Sequence, residues 1–558
     1  VTATREAPAV GGRYKWVALS NTTLGVFIAT VDGSIVIISL PAIFRGIGLD
    51  PLAPGNISYL LWMILGYLLV SAVLVVALGR LGDMFGRVRM YNAGFAVFAA
   101  ASIALSLDPF TGGPGALWLI GWRVVQAFGG AMLTGNSAAI ITDAFPANQR
   151  GTALGINQIT ALAGQFIGLL AGGLLAVIDW HAVFWVSVPI GIVGTIWSYR
   201  SLREIGTPRP ARVDWIGTVT FTAGTGAILA AITYGIQPYG GHPTGWTSPI
   251  VLGGPAVGIA LLVVFCLAET RIAQPMFRLG LFKVRAFAAG NIAALLTAIA
   301  RGGMQFMLII WLQGIWLPLH GYDFESTPLW AGIYMLPLTC GFLVAGPVSG
   351  FLSDRFGARL FATGGLVLVV IAFLGLLALP VDFSYPLFAF LLFLSGAGQG
   401  MFSAPNTSAI MGSVPATDRG VASGMRSTFQ NSGTSLSIGV FFSLMIVGLA
   451  GTLPTTLNAG LQAQGVPAAT AQSVASLPPV STLFAAFLGN SPIEHLLGPS
   501  GVLKALPPDH AAALTGTTFF PELVSGPFHQ GLVTVFTAAA IMAAVAALAS
   551  SLRGRTTR

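Results

Sequence analysis

Three ionisable side chains stand inside long apolar stretches of the chain: Asp32, Arg123 and Arg301. At the centre of a hydrocarbon layer such a group costs about 2.5–3.5 kcal/mol on insertion scales, so each needs a partner or a task. Asp32 lies in Thr30-Val31-Asp32-Gly33-Ser34, and Gly25, Asp32 and Ser39 recur every seven residues as a small, polar stripe that turns into a bundle. Burial penalises its charge and a nearby cation restores it; a carboxyl held between those effects can take up and release a proton. Arg123 or a cationic substrate would supply the balancing charge. The alternative is a static Asp32–Arg123 pair that orders two helices. Arg301 shares one helical face with Asn291, Thr297 and Gln305 and is expected in the same central cavity. It could serve as a second coupling element, as a filter that favours neutral or anionic substrates, or as a structural arginine bonded to backbone carbonyls.

A membrane bundle must position these residues. Of 558 residues, 55% are hydrophobic and 8% charged, and mostly apolar segments of about 20 residues recur along the chain. The class is an all-α polytopic membrane protein, with fourteen spanning helices from 16–44 to 529–552. An even count puts both termini on one face. All the basic residues except Arg45, Lys504, Arg123 and Arg301 then fall in cytoplasmic segments, so the net charge of +8 is a topology signal and no nucleic-acid role is expected. Only Lys15, Lys283 and Lys504 are lysines, and Ala and Gly abound, a composition that points to a bacterial plasma membrane. The first apolar segment is too long for a cleavable signal. Cys266 and Cys340 lie in apolar segments and are expected to pack there. The histidines fall near helix ends or in loops without metal-site spacing, so neither an enzyme, a metal site nor a cofactor is expected.

The chain repeats itself. Gly79-Arg80-Leu81-Gly82-Asp83-Met84-Phe85-Gly86-Arg87 follows the second helix, and Gly350-Phe351-Leu352-Ser353-Asp354-Arg355-Phe356-Gly357-Ala358-Arg359 follows the tenth. Each joins the second and third helix of a six-helix block. The plan is therefore 1–200, a two-helix linker at 201–284, and 285–558, with the site between halves. In each loop glycines allow the turn, while Asp83 can face a helix N-terminus and Arg87 can answer it, a latch for one face of the bundle. Residues 451–528 carry ten prolines and apolar stretches such as 480–488, which predicts a folded external cap that shapes an exit path, docks a partner, or is inert.

The loop residues Gly79, Leu81, Asp83, Gly86, Arg87 and Arg89, echoed by Asp354, Arg355 and Arg359, resemble the signature of the major facilitator superfamily. Asp32 with Leu40-Pro41, and Trp180 through Val188-Pro189-Ile190-Gly191, resemble motifs of its fourteen-helix drug:proton antiporter family. Leu119, Arg123, Gln126, Gly129 and Gly130 follow the pattern whose arginine is implicated in proton coupling, with Ala127 where glycine is usual. Gly155, Gly164, Gly168, Gly172 and Gly173 have the antiporter-motif spacing, although Leu169 replaces its proline and leaves inward symport open; small residues in register also let helices pack closely. The resemblance implies the major facilitator fold, two six-helix bundles plus two extra helices. It also implies proton-driven export of a lipophilic cationic, neutral or lipid substrate, with lipids or endogenous metabolites as the alternative cargo and a non-transporting scaffold or receptor as the alternative class. Polar residues Gln126, Gln165, Gln305, Asn406, Arg426 and Gln430, with Trp62, Tyr67, Phe306 and Trp311 as an adaptable apolar wall, are the expected cavity lining.

Overall fold

A backbone in hydrocarbon must satisfy its own hydrogen bonds, and helices do so within each segment. The computed structural model describes residues 12–50, 56–146, 149–205, 214–242, 244–272, 275, 277–324, 326–415, 419–482, 493, 497 and 501–553. Fourteen of its helices are long and apolar enough to cross a membrane. We label them in chain order: α1 Tyr14–Gly46, α2 Asn56–Phe85, α3 Arg87–Ser106, α4 Gly112–Ala144, α5 Arg150–Ile178, α6 Ala182–Ser201, α7 Trp215–Gly235 and α8 Pro249–Glu269. Then come α9 Arg285–Leu319, α10 Thr327–Ser353, α11 Ala358–Leu377, α12 Tyr385–Gly412, α13 Arg419–Ala450 and α14 Phe519–Ser551.

The packing repeats with the sequence. In the first half α1 packs on α5, α4 on both α2 and α3, and α6 on α3; in the second, α9 packs on α13, α12 on both α10 and α11, and α14 on α11. The two motif loops turn at matching glycines with positive φ, Gly86 at 109° and Gly357 at 93°, a region that favours glycine. The halves meet along two seams. One is α2 against α13, where the Ser435 hydroxyl donates to the Leu68 carbonyl at 3.0 Å. The other is α5 against the outer turns of α10. The linker pair α7 and α8 pack on each other, and α7 touches both α2 and α13.

Two expectations change. The last helix begins at Phe519, ten residues before the predicted 529, with Pro521 and Pro527 inside it. Pro521 stands in the first turn, where no intrahelical N–H partner is needed. Cys266 and Cys340 are exposed on outer helix faces, not packed. The 451–528 segment contains short helices such as Leu453–Ala463 and Ala468–Ala475, whose Leu457, Leu461, Ala471 and Val474 are buried in a core continuous with α9 and α14. Most of 480–488 lies outside the described residues. In α9 the helix widens to a π turn at Leu312–Trp316, which re-phases the residues beyond it.

Candidate functional site

Asp32 is fully buried between α1 and α4. Arg123, 2% exposed, forms an ion pair with it through Nη1. The same Nη1 donates to Gln126 Oε1 at 2.8 Å, while Gln126 Nε2 donates to Asp32 Oδ1 at 2.8 Å and to Ser102 Oγ at 2.9 Å. The far side of the guanidinium lies 4.1 Å from the Tyr67 ring centroid, and the Tyr67 hydroxyl donates to the Ala29 carbonyl at 3.0 Å. Gln126 and Tyr67, expected on a cavity wall, thus belong to this dry network. Their partners are positioned by helix spacing: Arg123 and Gln126 stand one turn apart on α4 and reach the same carboxylate from one side.

A second polar region lies between the halves, lined mainly by the C-terminal one, and is separate from the first, which corrects the expectation of one shared cavity. It is lined by Gln158 and Leu162 of α5, Thr297 and Arg301 of α9, Phe342 of α10, Gln399, Phe402 and Asn406 of α12, and Arg426 and Gln430 of α13. It encloses about 50 Å³ open to water, room for about three to five water molecules at 10–15 Å³ each. At 1.5 Å per residue, Gln158, Asn406 and Arg426 stand about 9–12 Å inside the face that carries the motif loops, and Arg301 about 24 Å inside. Gln165 and Gln305 lie above the cavity, bridging α5 and α9 at 3.2 Å, and Gln165 Oε1 is 3.5 Å from Arg301 Nη1. The expected aromatic wall is elsewhere. Trp311 is 1% exposed among Phe383, Phe388 and Phe536, Phe306 packs on Phe442, and Trp62 faces Tyr234 of α7. The sequence reading missed Gln158 and Leu162, although Gln158, Leu162 and Gln165 form a stripe along α5 at helical spacing.

At the motif loop, Arg87 Nε donates to Asp83 Oδ1 at 2.7 Å, and its Nη1 meets Asp143 of α4 at 2.7 Å. The N-terminal amides of α3 are met not by Asp83 but by Glu204 from beyond α6, which accepts from Arg87 N and Val88 N at 3.0 Å each. Neither Asp143 nor Glu204 has a spacing that ties it to the motif. Arg89 is exposed. In the second loop Arg355 and Arg359 are exposed, Arg355 resting over the Phe356 ring at 5.6 Å, and the side chain of Asp354 lies outside the described residues.

The sequence profile of the Major Facilitator Superfamily matches residues 22–438. The chain belongs to that superfamily. It is therefore a transporter and not an enzyme, a multi-pass membrane protein with fourteen apolar helices. It is 28% identical over 543 residues to the tetracenomycin C resistance and export protein of Streptomyces glaucescens, covering 97% of this chain and 92% of that one. The multidrug resistance protein Stp of Mycobacterium tuberculosis is 30% identical over 80% of this chain and 79% of its own. The riboflavin transporter RibZ of Clostridioides difficile is 29% identical over 78% of this chain and 90% of its own. Among solved structures, a bacterial homologue of the human lysosomal transporter Spinster, inward-facing and unoccupied, aligns over 97% of this chain and 98% of that one, with a TM-score of 0.58 at 16% identity. At that identity the likeness concerns the fold.

The glycines of α5 bring neighbouring helices of this transporter into close contact. A Cβ at Gly164 would lie 3.0 Å from the Phe27 carbonyl oxygen, and at Gly168 or Gly172 it would come closer than that to the Val31 or Ile35 carbonyl oxygen, so α1 and α5 touch through bare backbone. Gly173 turns the other way, and its added Cβ would meet Leu329 Cα of α10 at 2.6 Å, across the seam between halves. Gly155 has open space around it and is no packing contact, because it precedes the point where α5 converges on α1.

Proposed function

We propose that this transporter is a proton-coupled exporter of lipophilic small molecules that works by alternating access in a bacterial plasma membrane, with both termini cytoplasmic. The observation that carries the reading is the closed Asp32–Arg123–Gln126 network. Removing one charge of a buried ion pair strands the other, typically at about 3–5 kcal/mol. A proton delivered to Asp32 therefore cannot be accommodated in place; Arg123 must find other partners, and α1 must shift against α4. Such a shift biases an equilibrium between two arrangements of the halves, which is all that coupling requires. With the motif loops inside, the cavity faces the cytoplasm while the α5–α10 contact closes the outside. Its narrowness belongs to a nearly closed state that must widen for cargo. Resistance and export proteins among the relatives support outward transport of small molecules.

The test is dye efflux from proteoliposomes with and without an imposed pH gradient. Asp32→Asn should insert normally and lose gradient-driven transport. Parent-level, gradient-driven transport by that variant would sink the assignment.

A further inference from the structure

The cavity between the halves is lined by Arg301 and Arg426, with Arg553 behind it, and among the described residues none of the three has an acidic partner. Arg426 is 8% exposed, and its hydrogen bond is to Gln430 Oε1 at 3.2 Å. Arg301 reaches the Gln165 carboxamide at 3.5 Å. Just beyond α14, Arg553 turns back into the bundle, 6% exposed, and its Nη2 donates to Asn406 Oδ1, whose amide nitrogen in turn donates to the Gly290 carbonyl at 3.2 Å. Nε and Nη1 of Arg553 are buried without a hydrogen-bond partner, and burial pushes this guanidinium down to about 10. Among the described residues, no carboxylate lies within 4.0 Å of any of the three. A guanidinium offers five N–H donors in a planar fork suited to carboxylate, sulfonate or phosphate. Here each of the three has one side-chain hydrogen bond, to a carboxamide, in a region where an unbalanced charge is expensive.

We infer that this cavity is the binding site for an organic anion, an amphiphile whose acidic head is held between Arg301 and Arg426 and whose apolar body lies against Leu162, Phe342 and Phe402. The inference rests on the exporter reading above and specifies its cargo. The anion completes the charge balance that the protein leaves open. Arg553, tied to the cavity through Asn406, adds a third positive charge at the cytoplasmic end and draws anions toward the entrance. Gln158, Gln399 and Gln430 supply neutral donors and acceptors that orient the head without competing for the arginines.

The experiment uses two xanthene dyes of one shape and opposite charge, fluorescein and rhodamine 123, binding to the full-length protein in detergent, read by fluorescence anisotropy. Fluorescein should bind at least about tenfold more tightly than rhodamine 123. Arg426→Gln and Arg301→Gln should each weaken fluorescein about tenfold, the loss expected for one charge-assisted contact. Arg426→Lys, which keeps the charge, should retain part of the affinity and so separates lost charge from misfolding. Millimolar inorganic phosphate should not displace the dye, for want of an apolar body. Displacement by short-chain phosphatidylglycerol would assign the anionic head to a lipid, and its failure to displace would assign it to a free acid. Equal or tighter binding of rhodamine 123, or fluorescein binding indifferent to both Arg→Gln changes, overturns the inference. Gradient-driven efflux of the cation alone would do the same while leaving proton-coupled export standing. Selective fluorescein binding with no gradient-driven efflux of either dye would instead reject the exporter reading and keep the anion site.

Discussion

In the N-terminal half Arg123 meets Asp32, and Arg87 meets both Asp83 and Asp143; in the C-terminal half Arg301, Arg426 and Arg553 meet carboxamides. The helices around them pack by one plan, α1 with α5 as α9 with α13. A duplicated backbone has thus been given two electrostatic tasks. One half carries a closed, self-neutral pair, which the proposed reading gives to a proton, a cargo that is small and needs no room. The other carries open positive charge beside a water-accessible space, suited to something that arrives with its own charge and leaves again.

The largest effect expected from disturbing this contrast is at Asp32. Asp32→Asn leaves Arg123 buried without a counter-ion and should destabilise the protein by about 3–5 kcal/mol besides abolishing coupling. Combining it with Arg123→Gln should recover most of that stability and none of the coupling, as read by thermal unfolding in detergent beside transport. If the double variant stays as unstable as the single one, the pair is not the isolated unit described above.

Next in size are the glycines that hold the N-terminal half's charged helix in place. Gly168→Ala sets a methyl against the Val31 carbonyl and should cost about 1–3 kcal/mol, with transport falling alongside. Gly155→Ala, in open space, should be neutral or stabilise by up to about 1 kcal/mol. The same unfolding assay ranks the two; equal effects would remove the packing role.

The loops should differ in the same sense as the interiors. Asp143→Asn breaks a partly buried contact to Arg87 and should cost about 1 kcal/mol, whereas Arg355→Ala at the repeated position, exposed, should stay within about 0.5 kcal/mol.

The smallest effect concerns the link between α5 and α6. There His181 donates through ring and then backbone to Asp179, holding its carboxyl below the usual range. Any stability from that lowered value is present above the unfolded carboxyl range and lost as pH falls through the folded one. Asp179→Asn should therefore shift Tm little at pH 5–8, and the difference from the parent should close below about pH 4.

How much of this was legible in the sequence depends on the kind of relation involved. Apolar length and duplicated loop residues located the fourteen helices, because each signal is local to its segment. Asp32 and Arg123 could be singled out for the same reason, since a lone charge in an apolar run stands out by itself. Their separation from Arg301 could not be read. Helical spacing says which residues share a face but not which neighbour that face meets, and Gln126 and Tyr67 turn toward Asp32 where a cavity wall was expected. Trp311 was misplaced for a related reason: an aromatic residue near a helix end serves a lining or a core equally well, and the π turn at Leu312–Trp316 belongs to backbone geometry that no residue type announces. Asp143 and Glu204 reach Arg87 and the α3 amides from segments far along the chain, so only the assembled bundle reveals them.

The linker pair has one further consequence. Because α7 lies against both α2 and α13, it roofs that seam between the halves, whereas α5 and α10 pack on each other at the other seam. The two flanks of the bundle are therefore unlike, and the linker gives the transporter a sidedness that its internal duplication would otherwise erase.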